Sequence, residues 1–183
     1  DGSAVDDYLL VTGTLGDAAA ALREQASKHP FLIQRLKRPS ARVSFGQKIG
    51  PWVHGLIDIS DGLISDLTHL LDPTAGAFTS GHPLGATIEL PKLPASDALL
   101  ECIKEPQLRW PLQLSGGSDY ELLMSAPEAS LEHLHEMAGQ EGVDLSVIGR
   151  INDSGEVMCL DERGQAFIHQ GRGWDHFASE QRS

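Results

Sequence analysis

The stretch Ile57-Asp58-Ile59-Ser60-Asp61-Gly62-Leu63 places two carboxylates and a hydroxyl where an apolar strand ends and a helix begins. The apolar run at 53–57 predicts a short strand that leads into the interior. Leucines recur at helical spacing over 63–71, which predicts one apolar stripe along the helix that follows. A strand end that leads into a helix start is a common place for ligands in an open α/β sheet.

The two aspartates of this stretch are expected to lie close together, at a place with little positive charge. Such carboxylates repel each other unless a proton or a cation sits between them. Mg²⁺ carried in by a nucleotide phosphate would meet that need, because it prefers oxygen ligands. The alternative is a turn without a ligand, in which Ser60 or Asp61 caps the helix and Gly62 allows the bend. Taken alone, the motif fits the turn at least as well as the metal site.

The composition is that of an acidic globular protein. Its 183 residues suit one domain with a substantial core, and 40% of them are hydrophobic. Lys and Arg total 14 against 26 Asp and Glu, for a formal net charge of -12, so nucleic acid is not expected as a partner. The longest basic cluster, Arg35-Leu36-Lys37-Arg38, fits a solvated helix end. No apolar run reaches membrane-spanning length, and no membrane partner is expected. Cys102 and Cys159 lack paired spacing, which indicates reduced thiols and a cytoplasmic protein.

The order of predicted elements indicates an α/β (α+β) fold, a two-layer sandwich in which helices cover a mixed sheet. Strands are predicted at 8–12, 53–57, 86–90, 120–126, 145–148, 157–160 and 166–169. Helices are predicted from 17 to about 27 and at 31–36, 42–49, 63–71, 95–103 and 128–140, with a loop or short helix at 110–115.

A second polar segment, Leu114-Ser115-Gly116-Gly117-Ser118-Asp119-Tyr120-Glu121-Leu122, precedes a predicted strand. Its two glycines free the backbone to approach a ligand and to direct amide hydrogens toward an anion. An ordinary Gly-Gly turn is the alternative. The spacing matches neither a P-loop nor a Rossmann fingerprint.

A third segment, Gly171-Arg172-Gly173-Trp174-Asp175-His176-Phe177, sets two aromatic residues beside glycines near the end of the chain. Trp174 and Phe177 could stack on a flat heteroaromatic ring, including a cationic one. They could equally pin the C-terminal segment onto the body of the domain.

Together, these three segments resemble the thiamine-monophosphate kinase family in their order and separation. The motifs at 11–17 and 148–150 fit the same pattern. The resemblance spans almost the whole chain but only the C-terminal domain of that family. It implies that residues 1–183 are the C-terminal domain of a two-domain enzyme, whose N-terminal ATP- and metal-binding domain is absent from this chain. The polar lead-in at 1–7, which has no initiator Met, agrees with that expectation.

The resemblance implies a fold like that of aminoimidazole-ribonucleotide synthetase and a Mg²⁺-dependent kinase. Such an enzyme transfers the γ-phosphoryl group of ATP to thiamine monophosphate, which gives thiamine diphosphate and ADP. By similarity, Asp58 and Asp61 would bind Mg²⁺, and Ser60 would contact ATP. Ser118 and Trp174 would contact the substrate, and no residue is assigned as an acid-base catalyst. The resemblance also implies a homodimer at full length and an inactive fragment.

Two positions depart from the family pattern, which usually has Glu in place of Ser118 and commonly Tyr in place of Trp174. Two alternatives accompany the kinase interpretation. One is a related ATP-using protein, of the selenophosphate synthetase or hydrogenase-maturation type, although these lack the terminal aromatic motif. The other is a non-catalytic domain that packs on a partner and only shapes its pocket.

Overall fold

Six strands form one mixed sheet at the centre of the described residues, 2–72 and 83–168 of the computed structural model. The strands are β1 (Tyr8–Thr12), β2 (Gly55–Asp58), β3 (Gly85–Glu89), β4 (Leu122–Ala126), β5 (Leu145–Asn152) and β6 (Val157–Leu160). Their order across the sheet is β2-β4-β1-β5-β3-β6. Only β3 and β6 pair in parallel; every other neighbouring pair among these strands is antiparallel.

Seven α-helices connect the described strands. They are α1 (Asp17–Ala21), α2 (Pro30–Lys37), α3 (Val43–Ile49), α4 (Leu63–Leu71), α5 (Asp97–Cys102), α6 (Pro106–Ser115) and α7 (Leu131–Glu141). Short 3₁₀ turns at 50–52, 90–92 and 128–130 lie between them. Proline opens α2 and α6, where its missing N–H costs no helical hydrogen bond. None of the described helices is both long and apolar enough to cross a bilayer.

Helices cover both faces of the sheet around β1. Leu9 and Val11 belong to a core that includes apolar residues of α4 and α6. Leu10, between them, belongs to a second core with Phe45 of α3 and Leu134 of α7. Because successive side chains of a strand point to opposite faces, these two cores lie on opposite sides of the sheet. The predicted α/β class with a mixed, helix-covered sheet is confirmed. Around β1 the helices form a layer on each face of the sheet, which makes three layers there rather than the expected two.

The ends of several elements differ from the prediction. The alanine-rich helix stops at Ala21 rather than near residue 27, because the chain turns through 22–29 to bring α2 back beside α1. Residues 106–115 form a full helix, although Pro111 lies inside it. Strand β5 continues to Asn152, where its second half pairs with β3. The expected strand at 166–169 is wrong within the described residues, where Ala166 makes only an isolated bridge to Leu160.

The register of the sheet decides where the first two motifs meet. Asp58, the last residue of β2, pairs with Leu122, the first residue of β4. The two strands are antiparallel, so the segment that leaves β2 runs alongside the segment that enters β4. Those segments carry the Asp58–Leu63 motif and the Gly-Gly motif, respectively.

Candidate active site

The two loops continue the hydrogen bonding of β2 and β4 beyond the strands. The Ile59 amide donates to the Glu121 carbonyl, and the Tyr120 amide donates back to the Ile59 carbonyl, each at 2.8 Å. The Ser118 amide donates to the Ser60 carbonyl, also at 2.8 Å. Backbone hydrogen bonds therefore join the Asp58–Leu63 motif and the Gly-Gly motif, which are far apart in the sequence, at one place on the protein.

Two glycines permit this close approach. Gly117 has a φ of 62°, and a Cβ on it would lie 2.8 Å from the Ser60 carbonyl oxygen. Gly62 has a φ of 115°, and a Cβ on it would lie 2.9 Å from the Ser115 Cα. Side chains of L-residues rarely adopt such φ values, and neither position has room for one.

A carboxylate that sequence reasoning overlooked holds the first loop. Asp66 Oδ2 accepts the backbone amides of Ser60, Asp61 and Gly62 at 3.0 to 3.1 Å. Asp66 lies on α4 and is 3% exposed; burial raises its pKa, and the nearby Asp61 charge adds to the rise, while the amide bonds oppose it. The expectation that Ser60 or Asp61 caps α4 is wrong. The N-cap is Gly62, which has no side chain to bond, and the Asp66 carboxylate binds the amides of the residues that lead into the helix.

The predicted metal ligands lie at the outer end of β2. Asp58 is exposed, and Asp61 and Ser60 are half-buried. No group of three or more His, Cys, Asp or Glu side chains that could hold a metal occurs within 2–72 and 83–168. Asp58 and Asp61 each offer carboxylate oxygens, and Mg²⁺ is commonly bound through one or two carboxylates, with substrate phosphates and water completing the shell.

The predicted substrate contact Ser118 sits on an unusual backbone. Ser118 and Tyr120 have φ values of 61° and 51°, in the left-handed region that non-glycine residues seldom occupy. Ser118 is half-buried, whereas the Tyr120 side chain is exposed. Trp174 lies outside the described residues, as does the rest of its motif through Phe177.

A buried ion-pair cluster lies directly behind the Gly-Gly loop. Glu121 is fully buried and receives two hydrogen bonds from Arg42, from Nε at 2.7 Å and from Nη2 at 2.9 Å. Arg35 Nη2 donates at 2.9 Å and Thr12 Oγ1 at 2.7 Å. The bond to Glu121 raises the pKa of Arg42. The expected solvated end for the 35–38 cluster does not hold for Arg35, whose side chain is only 11% exposed.

Two further carboxylates complete this cluster. Asp119 is 2% exposed, and its two oxygens accept the Gly16 amide at 3.1 and 2.9 Å. Asp17 is buried, accepts the Ser96 hydroxyl at 2.5 Å and lies 3.6 Å from Arg35 Nε. Burial raises the pKa of Asp119 from 3.8 to about 7; the charges of Asp17 and Glu121 also raise it, whereas the Gly16 amide and Arg35 lower it.

One signal for this cluster was present in the sequence. Acidic residues alternate with Tyr120 in a segment that enters a buried strand, and ionised carboxylates are rarely buried without partners. That signal predicts buried cations but does not say which ones. Arg35 and Arg42 come from separate segments that only the fold brings together.

Comparison with known proteins places these motifs in context. The thiamine-monophosphate kinase of Escherichia coli (strain K12) is 37% identical over 187 residues, which cover 97% of this chain and 54% of that protein. The chain is homologous to thiamine-monophosphate kinases. It spans about half the length of the curated relatives that it matches. No family model matches the chain.

Solved structures agree with the homology to thiamine-monophosphate kinases. The thiamine-monophosphate kinase from Stenotrophomonas maltophilia K279a aligns with a TM-score of 0.77 and 32% identity, over 91% of this chain and 53% of that one. AaThiL complexed with AMPPCP and TMP aligns with a TM-score of 0.72 and 32% identity, over 97% of this chain and 53% of that one. HypE from E. coli, a hydrogenase maturation protein, shares only the fold, at 22% identity and a TM-score of 0.63.

Proposed function

We propose that this chain supplies part of the active site of a kinase that uses ATP to convert thiamine monophosphate into thiamine diphosphate. The observation that carries the proposal is the 2.8 Å backbone hydrogen bond between Ser118 and Ser60. It sets the residue proposed to contact the acceptor beside the residue proposed to contact ATP. Homology to thiamine-monophosphate kinases, one of them solved with AMPPCP and TMP, supports this choice of substrates.

In this proposal Asp58 and Asp61 hold Mg²⁺ at the end of β2. Both side chains reach the surface, one exposed and one half-buried, and both offer the oxygen ligands that the ion prefers. Bound Mg²⁺ would neutralise charge on the phosphates during transfer. The chain is itself strongly acidic, so carboxylates without a cation would repel a polyanionic substrate.

The residues of this chain act mainly by alignment. Phosphoryl transfer requires the donor and acceptor phosphates to meet in line, and correct orientation supplies much of the rate. The Ser60 carbonyl accepts the Ser118 amide, and the amides of residues 60–62 donate to Asp66, so the backbone that carries the Ser60 hydroxyl is held in place. We further propose that Trp174 stacks on a ring of the substrate.

The remaining half of the relatives' length motivates a second part of the proposal. We infer that a preceding domain of the same polypeptide supplies most of the ATP site and the other metal ligands, and that the 183-residue chain alone is inactive. We also propose that the complete protein acts as a homodimer in the cytoplasm. The free state of Cys102 and Cys159 agrees with a reducing compartment.

The decisive experiment measures thiamine diphosphate formed from thiamine monophosphate, ATP and Mg²⁺, with the complete polypeptide and with the 183-residue chain. Turnover is expected only from the complete polypeptide. Asp58→Asn should lower kcat by about 100-fold or more, because a carboxylate ligand to the ion is lost. The matched control is Asp153→Asn, an exposed aspartate after β5, far across the sheet from β2.

Three results would contradict the proposal. Absence of thiamine diphosphate with the complete polypeptide would exclude this substrate pair. Unchanged turnover in Asp58→Asn would favour the non-catalytic packing domain. Robust turnover by the 183-residue chain alone would refute the division of the site between two domains.

A further inference from the structure

Glu121 joins three elements that are separate in the sequence. Its carboxylate accepts hydrogen bonds from Thr12 at the end of β1, from Arg35 on α2 and from Arg42 just before α3. The Arg42 contact is bidentate, so it fixes the orientation of the carboxylate as well as its position.

The same residue also fixes the Gly-Gly loop to the Ser60 loop. The Glu121 carbonyl accepts the Ile59 amide, and the preceding Tyr120 amide donates to the Ile59 carbonyl. Any movement of Glu121 would shift this pair of bonds. It would also shift the Ser118–Ser60 bond that follows from the same register.

The loop needs such an anchor because its backbone is strained. Gly117, Ser118 and Tyr120 all have positive φ, and two of them carry side chains that disfavour it. Conformations of this kind persist only where the surroundings hold them, and they concentrate at functional sites. Asp119, between the two strained residues, is held from the other side by the Gly16 amide.

We propose that Glu121, held by Arg35 and Arg42, is a positioning residue that keeps the 117–120 loop in register with Ser60. Its role in substrate binding rests on the proposed kinase function; its role in holding the loop does not. The glycine-rich turn at 13–17 covers this ion-pair cluster: Gly13 packs against the Glu121 carboxylate, and the Gly16 amide donates to Asp119.

Glu121 acts through the loop rather than on a ligand. It is fully buried, and a Cβ added to Gly13 would lie 2.3 Å from Glu121 Oε1. That turn therefore packs directly on the carboxylate and leaves no path to it from solvent. A residue in this place is not a catalytic residue.

The first test is amide hydrogen exchange on the 183-residue chain without ligand. Glu121→Gln keeps the size of the side chain but removes the charge that faces two arginines. We expect the Ser118 and Tyr120 amides to exchange about tenfold faster relative to the Leu9 and Met124 amides, which report global opening.

A second variant and a control make this test decisive. Arg42→Lys keeps the positive charge but loses the bidentate hydrogen bonding to Glu121, and should speed exchange at Ser118 and Tyr120 by about threefold. This variant serves as the test if Glu121→Gln does not fold. Glu141→Gln, which removes an exposed ion pair with Lys48, should change neither amide. Uniform acceleration across the sheet, or none at Ser118 and Tyr120, would overturn the positioning role.

The second test uses the complete polypeptide and separates binding from chemistry. Glu121→Gln should raise KM for thiamine monophosphate about tenfold while KM for ATP changes much less, because the displaced loop carries Ser118. An equal rise in both values, or a fall in kcat alone, would contradict positioning of the acceptor side. If the unaltered polypeptide forms no thiamine diphosphate, the kinase proposal fails, and hydrogen exchange still decides whether Glu121 holds the loop.

Discussion

The amide of Ser118 lies 2.8 Å from the carbonyl oxygen of Ser60, although β3 and helices α4, α5 and α6 separate them in the chain. This bond is made by backbone atoms, so it does not depend on either hydroxyl. Side-chain substitutions at Ser60 and Ser118 can therefore test contact chemistry without removing the bond that aligns the loops. Substitutions of the buried residues that hold the loops, such as Asp66 and Glu121, should instead alter how the two loops are aligned.

Asp66→Ala should be strongly destabilising. Three loop amides lose their shared acceptor, and buried unsatisfied amides are costly, so we expect a loss of about 2–4 kcal/mol in unfolding free energy. Asp66→Asn keeps an acceptor oxygen and should cost about half as much or less. Urea unfolding measures both, and Asp153→Ala, at an exposed turn, is the control. Equal losses for Asp66→Ala and Asp153→Ala would show that the amides do not need this carboxylate.

Gly117→Ala should separate steric exclusion from backbone preference. Gly117 and Gly142 have φ values of 62° and 64°, but only at Gly117 would a Cβ meet another atom, the Ser60 carbonyl oxygen at 2.8 Å. Both alanine variants pay the left-handed penalty of about 1 kcal/mol, and Gly117→Ala should cost about 1–3 kcal/mol more. Thermal and urea unfolding of the two variants give the comparison. Equal losses of unfolding free energy in the two variants would mean that the two loops can move apart without destabilising the protein.

Sequence patterns were sufficient for α4 and approximate for β2: the apolar run predicted a strand at 53–57 that leads into the interior, whereas β2 is Gly55–Asp58, at an edge of the described sheet, with no fully buried residue. Helical spacing of leucines predicted a helix over 63–71, and the structure has α4 at Leu63–Leu71. Amphipathic periodicity is a local property, so it survives folding with little change. Periodicity also identified α3 and β6 to within one residue.

The site was only partly predictable, for a physical reason. Glycines and acidic residues marked both loops, but the bonds that hold them come from Asp66, Arg35 and Arg42. Whether a charged residue is exposed or buried in an ion pair depends on which distant segments pack against it. The predicted end of the alanine-rich helix was wrong for a related reason. Helix α1 ends where its packing against α2 requires a turn, not where helix propensity declines.

Ser118→Gly should raise stability while weakening substrate binding. Ser118 has a φ of 61°, which glycine adopts without penalty, so we expect a gain of about 1 kcal/mol in unfolding free energy. Loss of the hydroxyl should raise KM for thiamine monophosphate in the complete polypeptide. Asp6→Gly, at a φ of 72° beside β1, should give a similar stability gain with unchanged KM. A stability loss at Ser118→Gly would show that its side chain supports the loop.

Asp119→Asn should remove a pH dependence of stability. The pKa of Asp119 is raised in the folded protein to about 7 from 3.8, so the folded state keeps a proton that the unfolded state releases between these values. The stability that this proton contributes is fully present below about pH 4 and is lost as pH rises through about 7, by up to about 1.4 kcal/mol per pH unit. Asparagine keeps an acceptor for the Gly16 amide but carries no charge. The free energy of unfolding of the variant should therefore rise relative to that of the unaltered chain as pH rises.

Urea unfolding at intervals from about pH 5 to about pH 8 measures this difference, because each midpoint and slope give one free energy. The two curves should diverge with rising pH, with Asp119→Asn the more stable at the alkaline end. Glu141→Gln is the control: Lys48 and Ser44 hold the pKa of Glu141 below its usual range, so it titrates below this window and its removal should leave the slope unchanged. Parallel curves for Asp119→Asn and the unaltered chain would mean that Asp119 is already ionised in the folded protein. The two arginines, Arg35 and Arg42, would then have to balance three buried negative charges, those of Asp17, Asp119 and Glu121.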